Sequence, residues 1–534
     1  MKNKIFSKYL AIIIILISPI TLYSQYLTED IFKFSRAMGY ISNFYVDTVN
    51  SQMLVESALI SVLKELDPHS VYIPEKEVKE MNQPLEGNFE GIGIQFNLLK
   101  DTIFIISPIS GGPSEKVGLR AGDRIIKIND EEVAGKNIST TGVRDRLMGD
   151  KGTKVNVTIK RTGVYELLTF TITRDKIPIY SVDAAYLIDK NIAYIKINRF
   201  ALTTVEEFVE KAKILKEKGA TSLILDLRDN GGGFLDKAIE LSDHFLDDKK
   251  LIVYTEGMRS LKTESFATSN GVFQNGNIVI LIDEGSASAS EIVAGAVQDW
   301  DRGIIIGRRS FGKGLVQKPF YLPDGSMIRL TVARYYTPTG RAIQKPYSEG
   351  VDKYEAELLK RYKHGELLNK DSISFPDSLK YYTLTNKRIV FGGGGIMPDI
   401  FVPIDTTQVT PYYSKMLRQG ILNSFVLEYV DKNRKSLKST YTDFKKFNEK
   451  FEVDDKIMND LFAYGLESKI EATQDEIDKS KPDFALIIKA LIARDLWEMS
   501  EYYQIVNVRD KGFNKAIEVL KNWDKYHAEV LINQ

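Results

Sequence analysis

The 534-residue chain contains no cysteine. That absence excludes disulfides, thiolate metal sites, a cysteine nucleophile and lipid-modified cysteine. Histidine is nearly as scarce: His69, His244, His364 and His527 are the only four, which constrains metal and Ser/His chemistry. There is no excess of charge either, since Lys+Arg and Asp+Glu both number 72, so no global basic field exists to hold nucleic acid. What remains is an ordinary soluble composition, 43% hydrophobic and 27% charged, on a chain too long for one core; about two to four domains are expected.

The first residues differ in character. In "MKNKIFSKYLAIIIILISPITLYSQ" three lysines precede an apolar run and small or polar residues follow it, the order of a secretory signal peptide over 1–25. The expectation is a periplasmic or secreted protein, cleaved near Ser24–Gln25 and slightly acidic once Lys2, Lys4 and Lys8 are gone. The alternative is a membrane anchor at residues 9–20, which is short for a full span, with the rest outside the cytoplasm.

Helical spacing of apolar residues continues over 28–66, in "LTEDIFKFSRAMGYISNFY" and "NSQMLVESALISVLKEL", ending at the turn "DPHS". So short a pair of apolar faces needs a partner, either the rest of the chain or a second copy in a homodimer. Over 88–175 the pattern changes to short strands and turns: two strands in "FEGIGIQFNLLKDTIFIISPI" and a hairpin in "KVNVTIKRTGVYELLTFTITR". From about 180 to 400 apolar strands (192–197, 222–227, 277–283, 303–309) alternate with amphipathic helices (204–218, 233–246, 288–300), the pattern of a largely parallel sheet covered on both faces. Ligand sites form at the carboxyl ends of such strands, where "DLRDNGGG" and "DEGSASAS" stand. Beyond about 405 the chain is rich in Lys, Glu and Tyr at helical spacing, with no motif tied to chemistry.

Within "DEGSASASEIVAGAVQDW", Ser286, Ser288 and Ser290 precede a helix-competent stretch. A serine at a helix start has unpaired backbone N–H groups behind it that stabilise an oxyanion; the plain alternative is a helix cap with spare serines. A serine nucleophile needs a base, and a lysine serves if burial keeps it neutral. Lys313 in "RRSFGKGLVQ" is the candidate, with glycines on both sides and Gln317 placed to hydrogen-bond its amine without adding charge. Arg308 and Arg309 read as solvated loop residues.

The segment 88–175 resembles a PDZ domain through "GIGI" (Gly91, Ile92, Gly93, Ile94) and "GLRAGDRIIKIND"; the resemblance implies a loop that binds a peptide's terminal carboxylate beside an open strand edge. "SASASEIVAGAVQDWDRGIIIGRRSFGKGLVQ" resembles the catalytic segment of the C-terminal processing peptidases, Ser/Lys serine endopeptidases, and the resemblance extends over about residues 28–405, through "LDPHSVYI", "ARYYTPTGRAIQ" and "GGGGIMPDI". It implies Ser288 as nucleophile, Lys313 as base at that family's spacing, and Gln317 orienting the lysine. The oxyanion hole would come from the N–H of Ala289 and of Gly231 or Gly232. Asp299 matches a supporting acidic position, unless it merely pairs with Arg302.

The expected fold is multidomain α+β: an N-terminal helical region (26–84), a PDZ domain (85–176), an α/β, crotonase-like protease core with a largely parallel sheet (177–405) and a helical C-terminal region (406–534). The expected function is cleavage of proteins recognised by their C-terminal tail, with no metal or organic cofactor and no nucleic acid partner. Rival readings are a catalytically silent PDZ-containing envelope adaptor and an acyl-CoA-type enzyme of related architecture.

Overall fold

The computed structural model describes residues 29–268, 271–406 and 410–532. The signal peptide and the alternative anchor at 9–20 lie outside them. No helix among the described residues is long and apolar enough to cross a membrane.

A six-stranded sheet forms the centre. Its strands run Val182–Leu187, Ile192–Ile197, Ser222–Asp226, Ile278–Ile282, Ile304–Gly307 and Ile400–Phe401, in that order across the sheet. The first pair is antiparallel and the others are parallel, so the sheet is mixed. The inner strands are apolar runs with every residue buried, because both faces are covered. On one face lie the helices Thr204–Glu217, Leu235–Asp243 and Ala289–Asp299. Phe208, Leu241, Phe245, Ile292 and Val293 form the core there.

The expectation of one largely parallel sheet misses a second. Strands Val71–Ile73, Leu251–Gly257, Ser260–Phe266, Leu315–Tyr321 and Met327–Tyr336 make a wholly antiparallel sheet in the same region. Its strands are mostly partly exposed and carry polar residues throughout, so they show no continuous buried apolar run. Arg308 and Arg309 are also not solvated: Arg308 pairs with Glu284 at 2.6 Å and Arg309 with Glu366 at 2.7 Å.

Residues 88–178 hold three strands where two were expected at their start. Asn88–Gly91 pairs with Asp175–Pro178, apart from the antiparallel sheet begun by Ile94–Leu99 and Thr102–Pro108. Ile94–Leu99 is an edge strand, paired on one side only. Before them, helix Glu75–Glu86 follows "DPHS", beyond the 28–66 stretch expected to be helical. The N-terminal helix at 29–44 exposes Phe32, Phe34 and Phe44, and Tyr45 just after it is exposed too.

The C-terminal helices, among them Ile421–Thr440 and Gln474–Leu496, bury a core of their own. Helix Lys511–Lys521 covers the second face of the central sheet. Phe513, Ala516 and Val519 pack on Tyr194, Ile224, Val279 and Leu281, and each large apolar side chain so buried contributes roughly 1.5–3 kcal/mol. Asp431 meets Arg124 of the PDZ-like region at 2.7 Å, so this segment braces two parts of the molecule.

Candidate active site

Strand Ile278–Ile282 ends at a turn that delivers the chain to helix Ala289–Asp299. Two of the three serines tie that turn down. Ser286 Oγ donates to the Leu227 carbonyl (2.8 Å) and accepts from Asp283 N (3.0 Å), while Ser290 Oγ donates to the Asn230 carbonyl (2.9 Å). Ser288, between them, has φ +56° and ψ −113°. A non-glycine residue there costs of order 1–3 kcal/mol and persists only where its surroundings impose it. The turn leaves the Ser288 side chain on a cleft of about 590 Å³.

Lys313, Gln317, Gly231, Gly232 and Tyr335 line the same cleft. Residues far apart in sequence thus share one cavity, because the lysine loop joins central strand Ile304–Gly307 to strand Leu315–Tyr321 of the antiparallel sheet and the glycine loop follows central strand Ser222–Asp226. The cleft's other walls are mostly apolar, with Leu85, Leu202, Ile292 and Leu315 among them.

Ser288 and Lys313 are held by one carboxylate that sequence reasoning passed over. The fully buried Glu291 accepts from Ser288 N (2.8 Å) and Lys313 N (2.9 Å) through Oε2, and from Gly312 N (2.7 Å) and Ser310 Oγ (2.5 Å) through Oε1. Burial raises its pKa and those four donors oppose the rise. Tyr335 OH adds a second clamp, donating to the carbonyls of both Ser288 and Lys313. In the sequence Glu291 reads only as an acidic residue in a helix's first turn; "SASASE" carried its identity but not its partners.

The lysine loop is fitted closely. At Gly312 (φ +90°) a Cβ would stand 3.0 Å from Gly395 N, which explains one glycine of F-G-K-G and ties "GGGGIMPDI" to the site. Gly314 N donates to Gln344 Oε1 at 2.8 Å, bringing in "GRAIQ". The Lys313 amine has no ion pair among the described residues and does not hydrogen-bond Ser288 Oγ or Gln317 in this arrangement. Burial lowers its pKa, the Arg329 cation lowers it further, and Glu291 and Asp67 act in the opposite direction. Asp67 comes from "LDPHS", where it accepts from Ser70 Oγ (2.6 Å) and Thr331 Oγ1 (3.1 Å). His69 in the same motif is pushed down to about 4, first by burial and then by the Lys313 charge, and is neutral at neutral pH.

Ala289 N opens the helix with no acceptor. Gly232 (φ +98°) packs on the nucleophile turn so closely that a Cβ would lie 2.8 Å from Ser288 Cβ and 3.0 Å from Ala289 N. Its own N–H donates to Asn230 Oδ1 at 2.9 Å, whereas that of Gly231 has no acceptor. Asp299 sits at the far end of the helix, outside the cleft. It pairs with the fully buried Arg341 at 2.6 Å and accepts from Thr339 N and Oγ1. The alternative partner, Arg302, is elsewhere: its guanidinium donates to the carbonyls of Phe245, Phe273 and Gln274. Among the described residues no cluster of His, Asp and Glu has the makeup of a metal site.

A second cavity, about 350 Å³, opens where the PDZ-like loop lies. Ile92, Gly93 and Ile94 line it, but Gly91 does not. Phe96 and Leu147 make it apolar, and Arg199 and helix Glu75–Glu86 close one side through Glu80, Gln83 and Pro84. The same helix offers Asn82, Leu85 and Glu86 to the serine cleft, so one element walls both cavities.

A PDZ-domain family matches residues 91–173, peptidase family S41 residues 191–353, and a family of unknown function (DUF8443) residues 412–498. The carboxy-terminal-processing protease of Bartonella bacilliformis is 37% identical over 321 residues, 59% of this chain and 73% of that protein. The chain belongs to the carboxy-terminal processing proteases of family S41. Carboxy-terminal processing protease CtpB of Bacillus subtilis is 35% identical over 316 residues, 59% of this chain and 65% of that protein. Among solved structures, the photosystem II D1 C-terminal processing protease is 29% identical, covers 58% of this chain and 83% of its own, and superposes with a TM-score of 0.34.

Proposed function

We propose that this member of the family is an active serine endopeptidase outside the cytoplasm, in which Ser288 attacks and neutral Lys313 is the base. The observation that carries the reading is the pairing of a strained serine at a helix start with a half-buried, ion-pair-free lysine, both main chains hung on Glu291. Lys313 takes the Ser288 Oγ proton as the oxygen bonds to the scissile carbonyl carbon. The carbonyl oxygen gains negative charge at the N–H of Ala289 and of Gly231 or Gly232. Collapse of the tetrahedral anion breaks the C–N bond, and protonated Lys313 gives its proton to the leaving amine. Water then repeats the sequence on the acyl-enzyme, Lys313 taking its proton and returning one to Ser288 Oγ. Gln317 Oε1 orients the amine as substrate closes the remaining gap; hydrogen bonds at such sites tighten in the substrate complex. No step calls for a metal or organic cofactor.

The substrate's C-terminal tail adds a strand to the open edge at Ile94–Leu99, with its last apolar side chain in the Phe96/Leu147 pocket and its carboxylate at the Gly91–Ile94 loop. The test is cleavage of a C-terminally tagged protein by wild type, Ser288→Ala and Lys313→Ala. Loss in both variants with unaltered folding supports the reading; normal turnover in either one rejects it.

A further inference from the structure

Buried and half-buried arginines among the described residues have acceptors. Arg309 has Glu366 and Glu357, Arg388 has Asp301 and Asp399, and Arg174 has the carbonyls of Arg146 and Leu147. Arg329 departs from that rule. It lines the catalytic cleft, is half-buried, and its guanidinium has neither an ion pair nor a hydrogen bond among the described residues. The tyrosine Tyr321 is the one neighbouring group that favours its charge.

Strand register sets a second donor beside it. Arg329 stands opposite Pro319 and Gln317 opposite Thr331, so Gln317, Pro319 and Arg329 face one side of the hairpin. Gln317 Nε2 is buried and has no hydrogen-bond partner among the described residues. A buried donor left unmade costs roughly 1–3 kcal/mol, and such orphans in a cleft mark a place where a ligand supplies the acceptor. The cleft itself does not: Glu86 is its one carboxylate among the lining residues, and it pairs with neither group.

We propose that Arg329 and the Gln317 amide form a carboxylate subsite in the catalytic cleft that selects substrates by an acidic group near the scissile bond. A planar guanidinium takes a carboxylate through two parallel N–H···O bonds, and the amide N–H supplies a third. The carboxylate comes either from an Asp or Glu side chain flanking the bond or from the terminal carboxylate of the product lying in the cleft. The inference rests on the reading of this cleft as a peptidase site.

The test compares wild type with Arg329→Met and Arg329→Lys on short reporter peptides. One arm places Glu or Gln at each position flanking the scissile bond; the other uses product peptides, as free acid or amide, as inhibitors. Side-chain recognition predicts a kcat/KM about ten- to hundredfold higher for Glu than for Gln at one position, a ratio that collapses in Arg329→Met and partly returns in Arg329→Lys. Product recognition predicts the same pattern in the acid-over-amide inhibition ratio. Equal ratios in wild type, or ratios that survive unchanged in Arg329→Met, overturn the subsite; a surviving acid preference belongs to the PDZ-like groove. If no peptide is cleaved the peptidase reading fails, and anisotropy of the same labelled peptides on Ser288→Ala, with and without Arg329→Met, still decides the subsite by the same ratios. Unchanged thermal transitions establish that the variants fold.

Discussion

The two ends of helix Ala289–Asp299 handle charge in opposite ways. At its C-terminal end Asp299 and Arg341 lie 2.6 Å apart with no solvent exposure. At its start Lys313 is half-buried beside Ser288 with no ion pair, so desolvation works on the proton unopposed by a direct partner. Breaking a paired buried charge strands its partner and destabilises the fold. An unpaired buried amine weakens the fold but is free to pick up and release a proton.

The sharpest way to break that contrast is to remove each cation or its partner. Ser288→Ala and Lys313→Met should each reduce peptide cleavage by about a thousandfold or more, measured by reporter turnover. Lys313→Met should also raise the melting temperature. The folded lysine pKa lies below its ordinary 10.5, so at neutral pH the unfolded chain binds that proton more readily, and deleting the group removes the penalty. A lower melting temperature would show the amine to be a structural cation like Arg341. Asp299→Ala should do the reverse, costing about 3–5 kcal/mol in denaturant unfolding by stranding Arg341.

Glu291→Gln tests the clamp that joins the two. A carboxamide accepts through one oxygen and so loses either the Ser288/Lys313 pair or the Gly312/Ser310 pair. Cleavage should fall about a hundredfold in kcat with KM little changed; an unchanged kcat would remove Glu291 from the account.

The smallest expected effect is in pH. Cleavage should rise with pH as Lys313 loses its proton, along a limb below 10.5. Arg329 pushes that pKa down, whereas Glu291 and Asp67 raise it; His69, pushed down to about 4, is already neutral there. Arg329→Met should therefore move the limb to higher pH and Glu291→Gln to lower pH. Shifts of the same sign in both variants would contradict the electrostatic scheme.

What was legible in the sequence was what is local. Ser288, Ala289 and Lys313 sit in short runs whose glycines and small residues are demanded by their immediate turns, and the apolar strands of the central sheet announce their burial. Glu291 was illegible because its role depends on residues 310–313 folding back onto it. Asp299 reads as a supporting acidic position, or else as a partner of nearby Arg302; its partner is Arg341, brought by a long excursion through the antiparallel sheet. Helix Glu75–Glu86, which walls both cavities, lies beyond the stretch the sequence marks as helical. The region that holds Lys511–Lys521 reads as helical, but nothing in its own residues names the central sheet as its support.

The most direct measurement is the titration of the Lys313 amine itself, followed by NMR of isotope-labelled lysine in Ser288→Ala with Lys313→Met assigning the resonance. The account predicts a midpoint below 10.5, lower still with an uncharged peptide filling the cleft. A midpoint at or above the ordinary lysine value, with and without that peptide, would contradict it.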